Sequence, residues 1–218
     1  GEDGNDGLSP DRPKSSIRAI LEAYDLGSGD TIFVDTGTYT LATNIPIGEA
    51  DSGVTIQGPN SSNARAVIQR NDLSANSYGF EIVGASDVTI ADLHITGAEF
   101  GIAVANGSGF IARGNTLYEN HHGISIGTNA EGALVEENTI YGDPASSLVW
   151  QTTGIYLAGH NGLARGNTIY NHARQGIYAT GSGSVIRDNE LFGNVTGIEI
   201  QGGNFEQPPR AEANRVHG

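Results

Sequence analysis

Apolar and polar residues alternate along most of this chain in short runs, with glycine or asparagine between them. Alternation with a period of two marks strands with one buried face, and the runs are too short for helices. The runs also recur. GFEI, GIAV, GISI, GIYL, GIYA and GIEI begin at residues 79, 101, 123, 154, 176 and 197, giving spacings of 22, 22, 31, 22 and 21. In phase with them, GNTLY, ENTIY, GNTIY and DNELF put Asn115, Asn138, Asn167 and Asn189 in one column. Asn214 continues that column, and Leu93 holds its slot one turn earlier. One such unit cannot bury its own apolar face, so neighbours must stack. Three short strands per repeat of about 22 residues predict an all-β fold, a right-handed single-stranded parallel β-helix. The asparagine column is expected at tight turns, where Asn tolerates the left-handed region and its amide bonds to the next coil.

The front of the chain breaks the pattern. Residues 14–25, KSSIRAILEAYD, place Ile17, Ile20, Leu21 and Tyr24 at helical spacing, with Ser15 or Ser16 as N-cap and Gly27 as a stop. This segment predicts a short α-helix capping the open end of the coil stack, whose apolar side chains and strand edges need cover. The expected division is a lead-in and capping helix over 1–28 and a single β-helix domain over 29–218. The last coil keeps the repeat pattern with nothing amphipathic after it, and the chain starts without Met. Both features lead us to expect a module excised from a larger chain.

Composition narrows the function. The chain has 218 residues, 25 Asp+Glu against 11 Lys+Arg, a net charge of -14, and neither Cys nor Met. A phosphate-backbone binder would need a basic face, so no nucleic-acid partner is expected. No cysteine means no disulfide framework and no thiolate metal site. No apolar run approaches the roughly 20 residues of a membrane span. At 17% charged residues the chain is not a disordered acidic tail.

The glycine–isoleucine strand, the x-x-N-T-I turn and the opening GDTIFVDTGTYT at 29–40 resemble the pectate-lyase-like superfamily of parallel β-helix proteins. The superfamily's repeats are shared by polysaccharide lyases, hydrolases, epimerases and bacterial surface proteins. The lead-in DGNDGLSPDRPKSSIRAIL at 3–21 is similar to the starts of β-helix domains in large secreted bacterial proteins. The resemblance implies a site on the face of the glycine–isoleucine strands and on the loops before them. Outward positions there are Glu81, Ala103, Ser125, Tyr156, Tyr178 and Glu199. The acidic cluster of calcium-dependent lyases is missing, because Glu81 and Glu199 lie five coils, about 24 Å, apart. Paired carboxylates of the hydrolase kind are also missing, as is the Asp-Pro-His-Asp run of alginate epimerases.

A metal-free site remains. The longest loop, GDPASSLVWQTT at 142–153, interrupts the period and holds the lone tryptophan, Trp150. Around it, His122 as base, Tyr156 as acid and Arg174 on a uronate carboxylate are the candidate catalytic set for β-elimination. Trp150, Tyr178 and His172 are the candidate substrate-binding residues. Each histidine has a competing reading as a solvated loop residue. A second outward column, Tyr118, Tyr141, Tyr170 and Phe192, is expected to stack and cover strand backbone, with a glycan platform as its alternative. Arg113, Glu136, Arg165, Arg187 and Glu212 read as a solvated charge ladder. No cofactor is expected, apart from a structural calcium near Asp3 and Asp6 as a minor alternative.

These features lead us to expect an extracellular or cell-surface bacterial module. Its expected role is non-catalytic, recognising an extended polysaccharide or serving as an adhesive or scaffolding rod. The alternatives are a calcium-independent lyase or epimerase on acidic glycans, and a fibre or surface-layer subunit that self-associates through its coil ends.

Overall fold

The computed structural model describes residues 1–61, 63–143, 151–202 and 206–218. The chain winds into a parallel β-solenoid of about eight turns with three sheets. The first sheet runs from Thr31–Phe33 to Arg210–Glu212 and the second from Gly37–Thr40 to Arg215–His217, each with eight strands. The third has seven, from Ile45–Gly48 to Thr196–Ile200. Each strand pairs in parallel with those one turn earlier and one turn later, so equivalent residues form columns along the axis. The expected architecture is what forms.

The core is built from such columns. Ile68, Ile95, Leu117, Ile140, Ile169 and Leu191 stack through the second sheet, each at most 1% exposed. The glycine second in each third-sheet strand from Tyr78–Val83 onward is there for space. An added Cβ on Gly154 would lie 2.6 Å from both the Gly176 carbonyl oxygen and Ile169 Cγ2. Gly79, Gly101, Gly123 and Gly176 meet the same obstruction from the facing core column. Glycine and the apolar residue after it therefore both face inward, which breaks strict alternation near the start of these strands.

The asparagines do form ladders, but they are not the left-handed residues. That conformation belongs to the residue before each: Gly114, Glu137, Gly166, Asp188 and Ala213, with φ of 64°, 56°, 63°, 56° and 52°. The asparagine instead spans coils. Asn167 Nδ2 donates to Val135 O at 2.9 Å and to Asn189 Oδ1 at 2.8 Å, while its Oδ1 accepts from Asn138 N and Nδ2. A second ladder lines the turn from the second sheet to the third. There Asn120 Nδ2 donates to Ile95 O and Asn194 Nδ2 to Ile169 O. His172 occupies the equivalent slot one turn before Asn194, and its backbone N–H donates to Asn194 Oδ1.

The capping helix is Ile17–Ala23, with Ser16 Oγ accepting from Ala19 N at 3.1 Å. It ends before Tyr24, which is extended and whose hydroxyl donates to the Asp6 carbonyl, so the helix is shorter than its apolar spacing predicted. Ile17 joins the core, and Ile20 and Leu21 pack against it. An end-to-end fibre would have to displace this helix.

Candidate functional site on the third sheet

The third sheet presents two outward rows in register. One is Glu81, Ala103, Ser125, Tyr156, Tyr178 and Glu199. The other precedes the glycines: Tyr78, Phe100, His122, Thr153, Gln175 and Thr196. Bulk changes rows midway. Phe100 stacks on His122 with centroids 4.6 Å apart in the second row, while Tyr156 stacks on Tyr178 at 5.3 Å in the first.

Where the bulk changes rows, a groove of about 250 Å³ opens, lined by His122, Thr153, Tyr156, Arg174, Gln175, Tyr178, Glu199 and Gln201. Thr153 and Gln175 come from consecutive turns of the same row, between His122 on the N-terminal side and Glu199 and Gln201 on the C-terminal side. The stacked tyrosines stand to one side. A larger hollow, about 380 Å³, lies between the capping helix and the first turn. Its one charged lining residue, Arg18, is already bonded to Glu22 and Thr43.

His122, Tyr156, Arg174 and Tyr178, proposed from the sequence, are thus brought together. His172 is not among them: it is 3% exposed, beneath the turn. Trp150 lies outside the described residues. Thr153 and Gln175 were missed because strict alternation hides the row that precedes the glycine, and the residue before each GI pair was the signal; Gln201 lies two residues beyond Glu199, where alternation already points outward.

Burial pushes the pKa of His122 down to about 4, with His121 and Arg174 adding to the effect, so its ring is neutral at neutral pH. Thr152 Oγ1 lies 3.2 Å from its Nδ1. Burial also brings His172 down to about 4, outweighing the carbonyls of Ile140 and Gln151, which favour the charged form. Neither ring nitrogen of His172 meets the full geometry of a hydrogen bond among the described residues.

The groove holds a connected polar network. Thr153 Oγ1 donates to Gln175 Oε1 at 3.2 Å, and Gln175 Nε2 to Glu199 Oε2 at 2.7 Å. Tyr178 OH donates to Gln201 Oε1 at 2.6 Å, and Gln201 Nε2 to the other Glu199 oxygen at 3.3 Å. Arg174 makes no ion pair among the described residues.

The second-sheet column behaves differently. Tyr118, Tyr141, Tyr170 and Phe192 stack at 5.6, 5.0 and 4.7 Å, and His217 extends the stack. Their faces are spent on one another, which favours the backbone-covering account over a sugar platform. In the charge ladder Glu136 is not solvated: it is 7% exposed and takes two hydrogen bonds from Arg165. Near the N-terminus, Asp3 accepts from the backbone and hydroxyl of Ser15, and Asp6 pairs with Arg12.

Among solved structures the chain is similar to pectate lyase Pel9A, with a TM-score of 0.75 and 20% identity over 97% of this chain, which spans 59% of that one. It is also similar to an alginate lyase from Paenibacillus sp. str. FPU-7, with a TM-score of 0.64 and 15% identity over 91% of each chain. The Azotobacter vinelandii mannuronan C-5 epimerase AlgE6 A-module gives a TM-score of 0.66 at 15% identity over 85% of this chain and 54% of that one. At these identities the likeness shows a common fold. No curated protein sequence matches the chain.

One family model matches residues 27–207, and its description is periplasmic copper-binding protein (NosD). The donors here do not fit a copper centre. Cys and Met, the soft ligands for Cu(I), are absent from the sequence, and no three His, Asp or Glu residues converge among the described residues. No helix among the described residues is long and apolar enough to cross a membrane. The match covers most of the repeat, and the chain belongs to the NosD family of right-handed β-helix proteins.

Proposed function

We propose that this protein binds an extended acidic polysaccharide along its third sheet, outside the cytoplasm, as a recognition module rather than a catalyst. The observation that carries this reading is Arg174: a cation without an ion-pair partner among the described residues, at a groove edged by tyrosines and amides, in a chain of net charge -14. A guanidinium reads a carboxylate through paired hydrogen bonds, which suits a uronate. Amide and hydroxyl groups in the same groove match sugar hydroxyls, and tyrosine edges supply apolar contact. The family's periplasmic description and the polysaccharide-acting enzymes that share the fold support this setting. A rigid stack of coils also suits a spacer or adhesive rod.

A second reading is favoured by one observation, the neutral imidazole of His122 in the same groove as Tyr156 and Arg174. In β-elimination His122 would take the proton from C5 of a uronate whose carboxylate Arg174 neutralises. The electron pair would form the C4–C5 double bond as the C4–O bond breaks, and Tyr156 would protonate the departing oxygen. Binding requires only the lining; catalysis also requires both groups to flank one bond.

The test is a screen of polyuronates and neutral glycans that follows binding and absorbance of the unsaturated product together. Binding without product supports the recognition reading. Product that disappears in both His122→Ala and Tyr156→Phe establishes the lyase, and the absence of binding to every glycan removes both.

A further inference from the structure

The groove has a fixed anion as well as a free cation. Both oxygens of Glu199 accept from side-chain amides, one from Gln175 and one from Gln201. Gln175 is 6% exposed and is itself braced by Thr153, also 6% exposed, so this carboxylate is held by a built support. Glu199 has no salt-bridge partner among the described residues. Its negative charge therefore faces the groove undiminished, and it contributes to pushing up the pKa of the Tyr178 hydroxyl, behind the effects of burial and Tyr156.

Arg174 and Glu199 lie on consecutive turns. Thr196 N donates to Arg174 O, so Arg174 is level with the start of the next turn's strand, whereas Glu199 lies three residues further along that strand, in register with Tyr178. Both side chains line the same groove, so a ligand that lays one carboxylate on Arg174 also meets the carboxylate of Glu199. A chain of uronates in every position would oppose like charges there, whereas an uncharged or amino sugar would meet an acceptor it can bond to.

We infer that the groove selects an alternating polysaccharide, in which a uronate is followed by an uncharged or amino sugar, over a polymer made of uronate alone. Glu199 is then a specificity residue acting by repulsion, and Arg174 the residue that reads the carboxylate. This inference rests on the glycan-binding reading above.

The experiment is calorimetric titration at low salt with polygalacturonate and with unsulfated chondroitin, a uronate alternating with an N-acetylated amino sugar. Wild type, Glu199→Gln and Arg174→Gln are compared, with thermal melts to confirm folding. The expected result is that wild type binds the alternating polymer at least about ten-fold more tightly, since like-charge opposition in an interface is costly. Glu199→Gln narrows that gap by strengthening polygalacturonate, and Arg174→Gln weakens both polymers. Equal or tighter binding of polygalacturonate by wild type overturns the selectivity while leaving glycan binding intact. A gap unchanged in folded Glu199→Gln overturns the role of Glu199. Binding of neither polymer removes the glycan reading itself and this inference with it.

Discussion

The imidazole of His122 lies flat on the ring of Phe100, with centroids 4.6 Å apart and planes 12° from parallel. That stack shields His122 from water at the N-terminal end of the groove, and burial is the main reason its pKa falls to about 4. Replacing Phe100 by Ala uncovers the ring. We expect the His122 pKa, read by NMR titration, to climb at least one unit toward 6.5 in Phe100→Ala. An unchanged value would mean that neighbouring charge, not burial, holds the proton off.

Acid sensitivity follows from the same physics. His122 and His172 both have folded pKa values near 4 against 6.5 unfolded, so between these values the unfolded chain binds protons the folded one refuses. Stability therefore falls as pH drops from 6.5 to 4, by at most about 3–4 kcal/mol for each group at about 1.4 kcal/mol per unit. Other ionisable groups contribute their own slope. The clean readout is His172→Asn, which puts back the residue type found at Asn120 and Asn194. Urea melts at pH 7 and pH 5 should show a smaller loss of stability in this variant than in wild type. An identical loss would contradict the burial of a neutral His172.

The asparagine ladder makes a steeper prediction. Asn167, 1% exposed, bonds both upward and downward, so its removal strands polar groups on two neighbouring coils. Asn167→Ala is expected to cost about 3 kcal/mol or more in chemical denaturation, since each buried group left unpaired costs about 1–3 kcal/mol. Asn214→Ala, at the end of the ladder, should cost clearly less. Equal losses would deny that the ladder acts as a continuous column.

Two glycines separate space from backbone strain. In Gly154→Ala the new methyl meets a backbone carbonyl and a core isoleucine at 2.6 Å, which predicts a loss of about 2 kcal/mol or more. Gly132→Ala meets nothing within 4 Å, but Gly132 sits at φ 64°, so its cost is the left-handed penalty alone, about 1 kcal/mol. Thermal melts that rank the two in the opposite order would contradict the spatial account of the GI pair.

These residues also show how far the sequence could be read. Repeat spacing gave the coil, the three sheets and the columns, because identical neighbours must stack in register. It brought His122, Tyr156, Arg174 and Tyr178 to one face for the same reason. It misplaced the left-handed residue of the turn by one position, since Asn167 is identified by composition and Gly166 only by geometry. It missed Gln175, because two successive inward residues at each GI pair move the preceding residue onto the outer face, and Gln201, although alternation from Glu199 already points it outward. It read His172 as accessible, although only the coil-to-coil register reveals that its slot lies in the column of Asn120 and Asn194, beneath the turn.

The central claim is that a polysaccharide lies in the groove between His122 and Gln201. Its most direct test is a backbone-amide NMR titration of the protein with an acidic oligosaccharide, taken to saturation. The account predicts shifts concentrated at Thr153–Leu157 and Arg174–Ala179, with Tyr118, Tyr141 and Tyr170 on the second sheet unmoved and the third-sheet shifts lost in Arg174→Gln. Shifts centred on the second-sheet aromatic column, or third-sheet shifts that survive Arg174→Gln unchanged, would contradict it.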